Sequence, residues 1–129
     1  MKYKITKQNK PSLTTFGKYM AKAIHDNTID TRQILQEVAS RNGISLGELT
    51  TAMIGLSEVI SEHLRQGDRV RLENWGLMKL EIESDKVDSP EEFKPHKHIR
   101  GVRLHFLPES SGGSPNLYRN LKFERKKSE

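Results

Sequence analysis

His96 and His98 stand two residues apart, with Asp88 shortly before them. Two imidazoles at that spacing can share one strand face and hold a metal ion together with a carboxylate. A bare His-x-His is far more often an exposed or nucleic-acid-facing pair, and neither a metal nor any other cofactor is assigned on it. Cysteine is absent, which excludes disulfides, thiolate zinc sites, iron–sulfur clusters and cysteine nucleophiles. There is no G-x-S-x-G and no phosphate-binding glycine loop. No nucleophile, base and oxyanion donor can be nominated together, so the expectation is a protein without enzymatic activity or small-molecule substrate. What recurs instead is positive charge at alternating positions. Arg69 and Arg71 flank Val70, Lys79 lies between Met78 and Leu80, and Arg103 lies between Val102 and Leu104. Lys86, Lys94, Lys97 and Arg100 are spread over a polar stretch that contains Pro90. Cations presented this way suit phosphate oxygens rather than a reacting bond.

The bulk composition agrees with an anionic partner. The chain has 129 residues and a formal net charge of +5, which favours nucleic acid or an anionic membrane face. Hydrophobic residues make up 33% and charged residues 30%. That is a lean core for a monomer, so association with a second chain is expected. Met1–Lys10 is basic and polar with no apolar run behind it, unlike a secretory signal. Nowhere do the ~18 consecutive apolar residues of a membrane span occur. A cytoplasmic protein with no membrane partner is expected.

The elements that would position these cations divide the chain into three regions. Residues 1–29 form a basic extension with no acid before Asp26. Tyr3 and Ile5 alternate there with Lys2, Lys4 and Thr6, a strand period. Asn9–Ser12 breaks it, and Lys18–Ile24 suits either a second strand, giving a hairpin, or a short helix. From Asp30 the period is helical. Asp30 with Gln33, and Ser45 with Glu48, form two capping boxes. Behind them run the stripes Ile34, Leu35, Val38, Ala39 and Leu46, Leu49, Met53, Leu56, Val59, Ile60, Leu64. Asn42-Gly43 and Gly67 close the two helices. Gly55 inside the second costs about 1 kcal/mol against alanine, which suggests a close helix crossing. The outer face of that helix carries Glu48, Ser57, Glu58 and Glu62, so it is not a DNA-recognition helix.

After Gly67-Asp68 the period becomes two. Val70 and Leu72, then Met78, Leu80 and Ile82, then Val102, Leu104 and Phe106 alternate with charged residues. This predicts an antiparallel sheet with one apolar and one charged face. Its last two strands are joined by a polar excursion, residues 83–100, broken at Pro90 and Pro95. Trp75 is expected as a core or sheet-edge plug rather than a base-stacking platform. Residues 109–129 form the third region. Ser110–Ser114 is a linker; Pro115 could open a helix, while Leu121 and Phe123 favour a strand, placed beside Tyr3–Ile5. Arg125-Lys126-Lys127 ends the chain in a basic tail. No internal repeat is found.

The run Gly67-Asp68-Arg69-Val70-Arg71-Leu72-Glu73-Asn74-Trp75-Gly76-Leu77-Met78, in this element order, resembles the bacterial HU and integration host factor family. That family joins its strands at a Gly-aromatic-Gly-x-aromatic turn. Here Asn74 stands at the first glycine, Trp75 at the first aromatic, Gly76 at the second glycine and Met78 at the second aromatic. Phe106-Leu107-Pro108 is similar to the family's phenylalanine-x-proline at the end of the last strand. The resemblance covers residues 30–108, and the flanks resemble a longer HU-related subfamily with added terminal strands. It implies an α+β fold: two helices packed on an antiparallel sheet, a protruding β-arm over residues 83–100, and extra terminal strands. It also implies a nucleoid-associated architectural homodimer that holds duplex DNA through a sheet saddle, arms and the minor groove, with little sequence preference. The DNA-binding residues so implied are Arg69, Arg71, Lys79, Lys86, Pro90, Lys94, Lys97, Arg100 and Arg103. Pro90 stands where the family's proline wedge lies.

The arm departs from that pattern. Asp88 stands where an arginine is expected. Five acids (Glu83, Asp85, Asp88, Glu91, Glu92) face four bases (Lys86, Lys94, Lys97, Arg100) across it. A near-neutral arm contributes little phosphate affinity. Positive charge is concentrated in the termini, in Lys2, Lys4, Lys7, Lys10, Lys18 and Lys22 and in Arg119, Lys122, Arg125, Lys126 and Lys127. If the terminal strands extended the sheet they could cradle DNA; otherwise they serve solubility. The competing function is a protein-interaction module of the same fold that has lost DNA binding.

Overall fold

The computed structural model describes residues 1–109, 118 and 120–127. The Ser110–Ser114 linker, the choice at Pro115 and the basic residue Arg119 lie outside these. The described residues fall into two compact units. One comprises Met1–Glu37 and the stretch from Asn120; the other starts at Val38.

In the terminal unit, β1 (Lys2–Lys7) pairs antiparallel with β2 (Tyr19–Ala23), resolving the strand-or-helix alternative at Lys18–Ile24 as strand. Gly17 turns the chain back at φ 83°, and its amide donates to the Gln8 carbonyl. The C-terminal strand β6 is short, Glu124–Arg125, and runs parallel to β1 with Lys2 opposite Glu124 and Tyr3 opposite Arg125. The order is β2-β1-β6. These strands therefore do not extend the HU-like sheet: they form a sheet of their own.

Helix α1 (Thr31–Asn42) opens on a complete capping box, the Gln33 amide donating to Asp30 Oδ1 and the Asp30 amide to Gln33 Oε1. Gly43 at φ 66° ends it in the left-handed conformation glycine tolerates. Helix α2 (Leu46–Arg65) starts where Ser45 Oγ accepts from the Glu48 amide.

The second sheet has the order β3-β4-β5, with β3 (Val70–Leu72), β4 (Gly76–Ser84) and β5 (Ile99–Pro108) all antiparallel. Gly76 shows why the turn needs glycine. A Cβ there would lie 2.1 Å from the Leu107 carbonyl oxygen, and φ is 153°. Asn74 takes the family's first glycine position at φ 70°, a left-handed conformation that asparagine enters more readily than most residues.

Helix α2 packs on β3 and β4, yet the packing is incomplete. Among the described residues no apolar side chain is buried. Leu56 and Val59 on α2 are 51% and 53% exposed, and Ile82 and Leu104 on the apolar sheet face 65% and 57%. Trp75, expected as a plug, is 60% exposed at the rim of an open apolar cleft with Met53, Leu56, Ile60 and Leu72. Among the described residues no close helix crossing forms at Gly55, where an added Cβ meets nothing within 4 Å.

Candidate nucleic-acid interface

The register of the second sheet sorts its side chains. Val70 lies opposite Met78, Met78 opposite Phe106, Leu80 opposite Leu104 and Ile82 opposite Val102. Alternation therefore gathers these residues on one face. The other face takes Arg71, Leu77 and Leu107 in one row, Lys79 and His105 in the next, and Glu81 and Arg103 in a third. Three of the nominated residues, Arg71, Lys79 and Arg103, thus meet on one surface, with Arg69 one residue before β3.

That surface holds its own counter-ions. Glu81 receives the Arg103 guanidinium at 2.9 Å and lies 3.6 Å from both Lys79 Nζ and His105 Nδ1. Arg71 pairs with Glu109, whose amide donates to the Trp75 carbonyl and so brings the carboxylate alongside the turn. The hydrogen bond from Arg103 holds the Glu81 carboxyl below the usual glutamate range. The charges of His105, Arg103 and Lys79 act in the same direction, against opposing desolvation. Sequence inspection missed these carboxylates. Glu81 shares a strand face with Lys79, which alternation reveals, but its place opposite Arg103 follows only from the register.

The remaining nominated residues lie on the excursion. Strand pairing stops at Ser84 and Ile99. Beyond it the chain does not continue as a two-stranded ribbon. It forms a single 3-10 turn, Pro90–Glu92, and one helical turn, α3 (Pro95–His98). Prolines start both turns, where a missing N–H costs nothing. The Asp85 amide donates to the His98 carbonyl, and Asp85 pairs with Arg100. His98 Nδ1 accepts from the Lys94 amide at 2.8 Å, and its ring lies 5.5 Å from that of Phe93. His98 thus staples the tip together, and among the described residues no cluster of three metal-ligating side chains forms. Lys86, Lys94 and Lys97 are exposed. None of them forms an ion pair among the described residues. Pro90 begins the 3-10 turn. No helix among the described residues is long and apolar enough to cross a membrane.

Among known structures, the fold is similar to the crystal structure of a candidate bacterial DNA-binding protein from Bacteroides vulgatus, at a TM-score of 0.63 and 13% identity. The match covers 83% of this chain and 41% of that one, so the present chain spans less than half of its neighbour's length. No protein of curated function matches the sequence. The family profile described as "HU domain fused to wHTH, Ig, or Glycine-rich motif" matches residues 1–124. The chain belongs to this HU-HIG family.

Proposed function

We propose that the protein binds duplex DNA through the phosphate backbone and minor groove, with little sequence preference, as an architectural homodimer. The observation that carries this reading is the division of the second sheet. One face gathers Arg71, Lys79 and Arg103, while the opposite face is apolar and under-covered. The half-exposed stripe of α2 and the cleft beside Trp75 are surfaces that a second copy would close, and Gly55 gives two α2 helices room to cross. Membership of an HU family and the likeness to a candidate DNA-binding protein support the same reading. In the bound state phosphates displace Glu81 and Glu109 from their cations. Counter-ion release then makes affinity fall with salt. The function is binding, not catalysis.

One observation favours a protein partner instead. Residues 38–119 contain eleven Lys/Arg against twelve Asp/Glu, so the HU-like unit by itself has little attraction for a polyanion. Titration of a mixed-sequence duplex across a range of salt concentrations decides between them. Salt-dependent binding supports the DNA reading. No binding at low ionic strength refutes it and leaves the protein-interaction module.

A further inference from the structure

The positive charge that the HU-like unit lacks resides elsewhere. Residues 1–37 and 120–129 hold eleven Lys/Arg against five Asp/Glu. The terminal sheet sorts them by face. Met1, Tyr3, Ile5, Ala21, Ala23 and Phe123 line one apolar hollow. Alternation then turns Lys2, Lys4 and Lys22 to the opposite face. There Lys4 stands directly across from Lys22. Like charges at facing strand positions are destabilising, so this arrangement opposes folding of the hairpin. The parallel ladder adds more cations, because the Lys126 amide donates to the Tyr3 carbonyl at 2.8 Å. Lys4, Arg125, Lys126 and Lys127 then surround one hollow, with Ile5 its remaining lining residue.

No carboxylate lines that hollow. Among the described residues every ion pair lies in the other unit, at His63, Arg71, Lys79, Arg100, Arg103 and His105. The two cationic surfaces therefore differ in kind. The sheet of the HU-like unit is neutralised from within, whereas in the terminal sheet Lys4 faces Lys22 and the one carboxylate in register, Glu124 opposite Lys2, forms no ion pair among the described residues.

We propose that this lysine face, together with the hollow at the β6 edge lined by Lys4, Arg125, Lys126 and Lys127, is a second nucleic-acid site. It takes backbone phosphates of duplex DNA. The proposal rests on the DNA-binding reading above and locates most of its electrostatic affinity. Lysine ammoniums are point charges without the planar fork of arginine, so the face grips phosphate and reads no base. Three neighbouring strands span about 10 Å, close to the roughly 12 Å width of a major groove. That spacing lets the lysines reach phosphates on both sides of one groove.

The test compares Lys4→Gln/Lys22→Gln/Lys126→Gln with the wild type and with Arg71→Gln/Lys79→Gln/Arg103→Gln, by titrating a mixed-sequence duplex over a series of salt concentrations. Each phosphate contact contributes about 0.9 to the slope of log K against log salt, so the lysine variant loses up to roughly 2.7. The sheet variant loses less, because its cations are already paired. The lysine variant should also melt no lower than the wild type, since facing charges are removed. Lys4→Glu gives an independent arm: it turns the Lys4–Lys22 repulsion into an attraction, keeps the hairpin and weakens DNA binding. An unchanged slope in the lysine variant, with DNA binding intact, overturns this site alone. Absence of DNA binding by the wild type overturns the functional reading with it. Vesicles of phosphatidylglycerol in phosphatidylcholine are the last arm. If the substitutions abolish vesicle binding but leave the DNA slope unchanged, the face is a membrane site and the proposal fails.

Discussion

Leu56→Asp separates a dimer from a monomer by magnitude. Leu56 is 51% exposed in the single chain, beside Met53, Ile60 and Trp75 around the same cleft. If solvent fills that cleft, the substitution forfeits only the buried half of a leucine, about 1 kcal/mol. Such a loss lowers the melting temperature of a domain this size by roughly 3–6 °C. If a second copy fills it, each protomer buries an unpaired carboxylate at about 3–5 kcal/mol. Two-fold symmetry imposes that penalty twice, giving roughly 6–10 kcal/mol against the ~5–15 kcal/mol that hold a small domain together. The expected outcome is loss of the folded dimer, read by sedimentation velocity over a concentration series and by thermal melting in far-ultraviolet dichroism. Glu58→Gln, an exposed site on α2 outside the cleft lining, is the control and should behave as wild type. A wild-type protein that sediments as a folded monomer at micromolar concentration would refute the reasoning. So would a Leu56→Asp variant that melts within a few degrees of it.

Four further predictions follow from individual contacts. Gly76→Ala drives a Cβ to within 2.1 Å of the Leu107 carbonyl and should cost at least about 2 kcal/mol through clash and backbone strain, measured as a shift in denaturant midpoint. Glu81→Gln frees Arg103 and Lys79 for phosphates, so DNA binding should tighten and its salt slope steepen by up to about 2; unchanged titrations would show that this face does not meet DNA. Because the folded-state pKa of Glu81 is lowered, its carboxylate stabilises the fold above the ordinary glutamate value of about 4.3. That contribution disappears as pH falls through the depressed value, and Glu81→Gln should flatten the melting-temperature profile in that acid range. Pro90→Ala should leave DNA bending unchanged, since Pro90 opens a helical turn; energy transfer between labelled duplex ends that drops in the variant would restore the wedge.

Much of the framework was legible because its causes are local. The capping box of Asp30 and Gln33 closes within three residues. The left-handed positions of Asn74 and Gly76 follow from what those two residues tolerate. The apolar faces of β4 and β5 follow from a period of two. The terminal strands were legible as strands for the same reason, and so was the place of the C-terminal one beside Tyr3, but not that they form a sheet of their own. Sheet membership depends on which distant edge is free, and β6 found β1 more than a hundred residues away. The conformation of the excursion was not legible, because its prolines suit a ribbon tip as readily as the start of a turn; the bond from the Lys94 amide to His98 Nδ1 belongs to the second arrangement.

The sequence by itself determined the helices, the alternation of faces and the asparagine of the turn, since each rests on backbone preferences and neighbours a few residues apart; the need for glycine at Gly76 comes from the Leu107 carbonyl on β5. Tertiary structure decided how the cations are used. Arg103 lies twenty-two residues from Glu81, and no local rule pairs them; the β4–β5 register does. The same kind of register, between β1 and β2, sets Lys4 against Lys22, and β6 brings Lys126 to the hollow beside Lys4. Charge is a property of residues, but whether a charge is neutralised depends on what the folded chain places within a few ångströms of it.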